Sequence, residues 1–151
     1  MIITEDQLEQ IRIDNPNKKI VFTAGCFDLF HVGHLSYLEQ AKQLGDILVV
    51  DIINDNGVSK LKGPKRPVIP SEQRAKIVNA LRCVDYVLVY PDLSDTGPLA
   101  EMIRRLRPDL IANGNPKFIS QIQEEFPNMT MVHIPVIDGT STTKIVSKIN
   151  E

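Results

Sequence analysis

Residues 25–38 read GCFDLFHVGHLSYL and place two of the chain's three histidines, His31 and His34, three positions apart. Cys26, Asp28 and two glycines, Gly25 and Gly33, stand around them. Three chemistries fit such a stretch: a shared metal ion, an acid/base pair, or an anion held at the start of a helix. The i,i+3 spacing puts both imidazoles on one face of a first helical turn. The free N–H groups and positive dipole end of that turn attract phosphate. Gly25 permits a sharp bend and close backbone approach, and Gly33 leaves the first turn without a side chain. The metal reading is the weaker one. Cys26 and Asp28 would have to fold back from an extended turn, and neither HExxH nor CxxC occurs in the chain. A pair of half-buried structural histidines is the plain alternative.

Other stretches carry charge or hydroxyls at places where a phosphate could use them. KLKGPKRP (60–67) offers Lys60 and Lys62 on what reads as a loop shaped by glycine and two prolines. Either lysine is a solvated surface charge or a mobile cation over a polyphosphate. PSEQR (70–74) opens a helix with Ser71 as N-cap and Glu72 suited to the dipole. Arg74 then falls in the first turn, where a cation is misplaced unless an anionic ligand or a neighbouring acid answers it. DGTSTTKIV (138–146) brings four consecutive hydroxyl residues to a helix start, where one cap would suffice. IANGNP (111–116) puts Asn113, Gly114 and Asn115 at the end of a strand.

The elements that must position these groups alternate along the chain. Apolar runs predict strands at 19–24, 46–53, 86–90, 109–113 and 129–134. Helical spacing predicts helices at 34–45, 71–82, 97–107, 117–126 and 142–150, with a leading one at 5–11. Strands alternating with helices, and apolar throughout, imply a parallel sheet covered on both faces. The expected fold is therefore α/β: a doubly wound, Rossmann-like five-stranded parallel sheet with helices on both faces, forming one domain over residues 1–151. Ligands in such sheets bind beyond the carboxyl ends of the strands, which is where 25–34 falls.

Composition narrows the function classes. Seventeen basic against nineteen acidic residues give a net charge of −2, so there is no basic footprint for nucleic acid. The apolar run ILVV stops at Asp51, far short of the ~20 residues that span a bilayer. The acidic start MIITEDQLEQ is unlike a secretory signal, and two cysteines make no disulfide framework. A cytoplasmic protein with free thiols, binding neither nucleic acid nor membrane, is expected.

GCFDLFHVGH resembles the signature of the nucleotidyltransferase (cytidylyltransferase-like) superfamily. LKGPKRPVIPSEQRAKIVNALRCVDYVLVY (61–90) and DGTSTTKIVSKI (138–149) fall where that superfamily has its second and third motifs. The likeness is greatest to the heptose 1-phosphate adenylyltransferase domain of ADP-heptose synthesis, in lipopolysaccharide core assembly. Glycerol-3-phosphate cytidylyltransferases and archaeal FAD synthetases share the motifs. The resemblance implies catalytic roles for His31, His34, Lys62 and Arg74. It implies nucleotide contacts from Gly25, Cys26, Phe27, Gly33, Asn113, Asn115, Ser141, Thr142 and Thr143. ATP with Mg²⁺, a phosphorylated small-molecule acceptor and a homodimer are the implied partners. The chain departs from the heptose enzymes at Asn113–Asn115, where those carry a lysine and a glycine-aspartate pair. The arginine that precedes Ser-Thr-Thr elsewhere in the superfamily is missing, with Asp138 and Gly139 in that region. Two rival readings remain: a non-catalytic nucleotide-binding domain, and a zinc hydrolase built on Cys26, His31 and His34.

Overall fold

IVFTAG leaves one polar side chain to accommodate, Thr23, and becomes the central strand of the sheet. The computed structural model describes residues 1–90, 96–135 and 141–150. Asp138, Gly139 and Thr140 lie outside the described residues. The strands are β1 (Ile20–Gly25), β2 (Ile47–Ile52), β3 (Tyr86–Leu88), β4 (Leu110–Asn113) and β5 (Thr130–His133). They pair in the order β3-β2-β1-β4-β5, every pair parallel. The helices are α1 (Leu8–Asp14), α2 (Val32–Gln43), α3 (Asp55–Lys62), α4 (Ser71–Asn79), α5 (Thr96–Leu106), α6 (Pro116–Glu125) and α7 (Thr142–Ile149). The expected doubly wound parallel sheet is present.

Alternation along the strands builds two cores. Ile20, Phe22 and Ala24 pack with Ile47 and Val49 against Leu8 and Ile11 of α1, Met102 and Leu106 of α5, and Ile122 of α6. Val21, Leu48 and Val50 face the other way, against Leu38 and Ala41 of α2 and Ala75 and Val78 of α4. Each fully buried side chain of this size contributes about 1.5–3 kcal/mol. Gly45 is required where α2 meets β1: a Cβ there would lie 2.7 Å from both the Lys19 carbonyl oxygen and a Val21 methyl. Residues 1–3 cover the free side of β3 through Val87 N–H to Met1 O (2.9 Å) and Ile3 N–H to Val87 O (2.8 Å).

From β1 the chain winds to β2 and β3 on one side, then returns past β1 to β4 and β5. The reversal opens a crevice between the C-terminal ends of β1 and β4, the switch point where doubly wound sheets bind ligands.

The sequence reading needs three corrections. Residues 55–62 form α3, so Lys60 and Lys62 stand on its last turn and not on a loop. Only Val58 and Leu61 mark an apolar face there, too little periodicity to read. The helix is set by Asn54, whose Oδ1 accepts from Gly57 N–H (2.7 Å), and stopped by Gly63 at φ 99°. Helix α2 begins at Val32, with His31 itself as N-cap. Ser71 is the first residue of α4 and Pro70 its cap, and the Ser71 N–H is answered by Asp55 Oδ1 (2.9 Å).

One buried group is unusual. Asp51 of β2 is fully buried, beside Ala24 and Leu88 in the register. Its Oδ1 accepts from Tyr90 N–H (3.1 Å), while Oδ2 has no partner among the described residues. Burial pushes its pKa up to about 7. The folded chain thus keeps a proton that the unfolded chain releases near 4, so Asp51 costs stability as pH rises from about 4 to 7. Asp51→Asn mimics the protonated acid. Denaturant unfolding should show the variant's advantage over wild type growing as pH rises from about 4 to 7, by an amount on the order of a few kcal/mol, and level above that. A difference independent of pH would contradict this.

Candidate active site

The turn that follows β1 is held out of ordinary backbone conformations. Phe27 (φ 48°) and Leu29 (φ 50°) both occupy the left-handed region, which costs a non-glycine residue about 1–3 kcal/mol. Gly25 is needed for the same bend, because a Cβ there would come within 2.8 Å of the Phe27 ring. The strain is held by burial of Phe27 in the α2-side core and by Asp28, 1% exposed. The Asp28 carboxylate accepts from Arg66 Nε (2.6 Å), Val68 N–H (3.0 Å) and Ile69 N–H (3.0 Å). Burial alone would raise this acid, but the two amides and the guanidinium outweigh it and hold its pKa below the usual range. Asp28 shapes the turn.

Beyond the turn the two histidines form a capping box. Gly33 N–H donates to His31 Nδ1 (3.1 Å), and His31 N–H reaches His34 Nδ1 (3.4 Å). The rings stack, with centroids 3.9 Å apart, and Phe27 and Phe30 contact the His34 ring. An imidazole that accepts at Nδ1 carries its neutral-form proton on Nε2. The backbone of α2 therefore assigns both rings the tautomer with Nε2–H, and His31 Nε2 is buried with no partner among the described residues. Burial lowers the His31 pKa; burial, then the His31 charge, lowers that of His34 to about 4. Both rings are neutral donors at pH 7.

The histidines line a cavity of about 290 Å³ in the β1/β4 crevice. Gly25, Cys26, Phe27, Gly33 and Tyr37 contribute its floor and the α2 side, and Lys62 and Arg66 stand over one flank. Asn113 and Gly114 approach from β4, and Ser141, Thr142 and Thr143 from the start of α7. Tyr37 ties the floor together: its hydroxyl lies 2.5 Å from Thr23 Oγ1 and donates to Ala112 O (3.2 Å). The Cys26 thiol is raised by burial against the pull of Lys62, Arg74 and Arg66, which keeps it protonated.

Several expected contacts are spent on the fold instead. Arg74, 1% exposed, lies behind the cavity wall. Its Nε donates to Ile69 O (2.8 Å), Nη1 to Cys26 O, and Nη2 to Asp55 Oδ1 (2.7 Å). That is the neighbouring-acid alternative, with two turn carbonyls added. Asn113 bridges Ala24 O (3.2 Å) and Asn115 N–H (2.8 Å). Asn115 is outside the cavity wall and caps α6 by accepting from Lys117 N–H (3.0 Å). Ser141 caps α7 and Thr142 Oγ1 donates to Asp28 O (2.6 Å), while Thr143 is exposed and lines the cavity. Among the described residues no three His, Cys, Asp or Glu side chains gather to hold a metal, so Cys26, His31 and His34 do not form the hydrolase site considered above. Arg66 and Tyr37 are polar cavity residues that the sequence reading passed over. Arg66 had a signal, as the fourth cation of KLKGPKR.

The cytidylyltransferase-like family matches residues 22–148, which hold the turn, the histidines and α7. The chain belongs to the cytidylyltransferase-like family. Within that family of nucleotidyltransferases it is similar to the bifunctional protein HldE of Syntrophotalea carbinolica, 44% identical over 137 residues, 87% of this chain and 27% of that protein. HldE of Helicobacter pylori (strain P12) is 43% identical over 143 residues, 94% and 30% of the two chains. The chain thus spans less than a third of the length of these curated relatives. Among solved structures, a lipopolysaccharide core biosynthesis protein from Thermoplasma volcanium superposes with TM-score 0.67 at 26% identity, covering 81% of this chain and all of that one. Pantoate-β-alanine ligase from Francisella tularensis, 18% identical with TM-score 0.65 over 99% of this chain and 77% of the other, shares the fold. No helix among the described residues is long and apolar enough to cross a membrane.

The capping box makes a direct prediction. In an NMR pH titration of the free protein, the His34 ring should stay neutral with its proton on Nε2 down to about pH 4. A His34 ring that titrates near 6.5 would show that burial and stacking do not act as the geometry requires.

Proposed function

We propose that the chain is an adenylyltransferase that moves AMP from ATP to a sugar 1-phosphate of the heptose 1-phosphate type, releasing pyrophosphate in the cytosol. The observation that carries this reading is the pair of neutral Nε2–H donors preset at the N-terminus of α2 in the β1/β4 crevice. The 43–45% identity to several HldE proteins and the likeness to heptose 1-phosphate adenylyltransferases support the choice of nucleotide and acceptor.

The nucleophile is a phosphate oxygen that is already anionic, so the reaction needs no general base. Catalysis is then positioning and charge stabilisation for an in-line displacement at the α-phosphorus. His31 and His34 donate to α-phosphate oxygens as charge develops. Lys62, as a mobile cation, and the first-turn N–H groups of α7 with Thr143 take the leaving pyrophosphate. Arg74 serves by holding the Cys26 carbonyl and hence the shape of the turn. Mg²⁺ enters as the counter-ion of ATP. Among the described residues of the cavity wall the one carboxylate, Asp28, is engaged by Arg66 and two amides.

A pyrophosphate-release assay over a matrix of nucleoside triphosphates and phosphorylated acceptors tests the reading. ATP with a heptose 1-phosphate should turn over fastest. Faster turnover of CTP with glycerol 3-phosphate, or of ATP with FMN, would reassign the substrates to the related cytidylyltransferases or FAD synthetases. Binding of ATP without turnover of any pair would leave a non-catalytic nucleotide-binding domain.

His31→Ala and His34→Ala should each lower kcat by about 10²–10³-fold, the cost of removing one preorganised donor. ATP affinity should fall far less, because Lys62 and α7 still hold the tail. Wild-type turnover in both folded variants would remove the histidines from the mechanism.

A further inference from the structure

The two arginines near the turn differ in what their guanidinium groups have left to give. Arg74 spends all three nitrogens on the fold. Arg66 spends one: Nε donates to Asp28 Oδ2 at 2.6 Å, and among the described residues Nη1 and Nη2 meet no acceptor. Its side chain is 12% exposed and lines the cavity that holds the histidines. A guanidinium pinned through Nε presents its two Nη groups as a fixed fork, the geometry that grips two oxygens of one phosphate. The pin is itself fixed, since Asp28 is buried and also accepts from the Val68 and Ile69 amides that follow Arg66 in the chain. The cost of partly burying a cation beside an open cavity is offset by Asp28 and further when an anion arrives there.

We propose that Arg66 is a phosphate-binding residue of the active site, its Nη fork gripping a phosphate group in the cavity while Asp28 sets its orientation. The inference rests on the nucleotidyltransferase reading and adds to it a contact from a residue that the sequence analysis gave no role. Two phosphates would present the same oxygens to the fork: the polyphosphate tail of the nucleotide and the phosphate of the acceptor.

The test uses Arg66→Lys and Arg66→Gln in the full chain. Lysine keeps a charge for Asp28 but lacks the planar fork that grips two phosphate oxygens, so it separates a structural ion pair from a bidentate ligand contact. Arg66→Lys should unfold within a few degrees of wild type yet lose about ten- to a hundredfold in kcat/KM for at least one substrate. Arg66→Gln should lose at least as much activity. If the fork holds the nucleotide tail, calorimetry with α,β-methylene-ATP and with pyrophosphate will show both binding at least tenfold more weakly. If it holds the acceptor, those affinities will stay and the KM for the sugar 1-phosphate will rise. Full activity in Arg66→Lys, or losses that track thermal stability alone in both variants, would overturn the proposal. Absence of pyrophosphate release by wild type with every substrate pair would instead defeat the nucleotidyltransferase reading. Titration with inorganic phosphate and pyrophosphate would then still decide Arg66, unchanged affinities in both variants overturning its role.

Discussion

Asp28 is a buried carboxylate that joins three parts of the chain at one point. Its side chain holds Arg66 and the amides of Val68 and Ile69, and its carbonyl oxygen receives the Thr142 hydroxyl. Without those bonds a carboxylate taken out of water would be strongly destabilising. With them, the strained turn after β1, the segment leading into α4 and the start of α7 are fixed relative to one another. The cavity is the space these three segments enclose with the end of β4. A site made from segments so far apart in sequence needs such a common anchor, and apolar packing, which is not directional, would not provide it.

The histidine pair shows how a backbone can choose the chemistry of a side chain. Helix N-termini leave N–H groups unsatisfied, and serine, threonine, asparagine or aspartate usually answer them. Here imidazole nitrogens answer them through Nδ1, which leaves Nε2–H directed elsewhere. Burial and stacking then keep the rings uncharged. A neutral donor suits a ligand whose charge grows during the reaction, because it costs little to desolvate before the ligand arrives. The same dry interior acts oppositely on Asp51. Between about pH 4 and 6.5, neutral His34 makes the fold more stable as pH rises while protonated Asp51 makes it less so. The two partly cancel, and the pH dependence of global stability alone would conceal both.

Most of the architecture was legible because it follows from local patterns. Apolar runs and helical spacing are properties of neighbouring residues, and five strands alternating with helices leave few topologies open. The turn and its histidines were legible for the same reason, since glycine, two histidines and a helix start all lie within ten residues. Helix α3 was missed because eight residues with two apolar positions carry almost no periodic signal. Its formation depends on the Asn54 cap and the Gly63 stop.

The sequence by itself determined the sheet, the place of the ligand edge and the residues that could meet a phosphate. Only the tertiary structure decided which of them are free to do so. Arg74 and Arg66 are both cations close to the same motif, and nothing in their local sequence tells them apart. Arg74 meets an acid 19 residues away and a turn carbonyl 48 residues away, which consume it. Arg66 meets an acid 38 residues away through one nitrogen and keeps two. Asn115 caps α6 through the Lys117 amide two residues on, while Asn113 braces the Ala24 carbonyl that folding sets beside it and still lines the cavity. A hydrogen-bonding group has few bonds to give, and where they go depends on what the fold sets beside it.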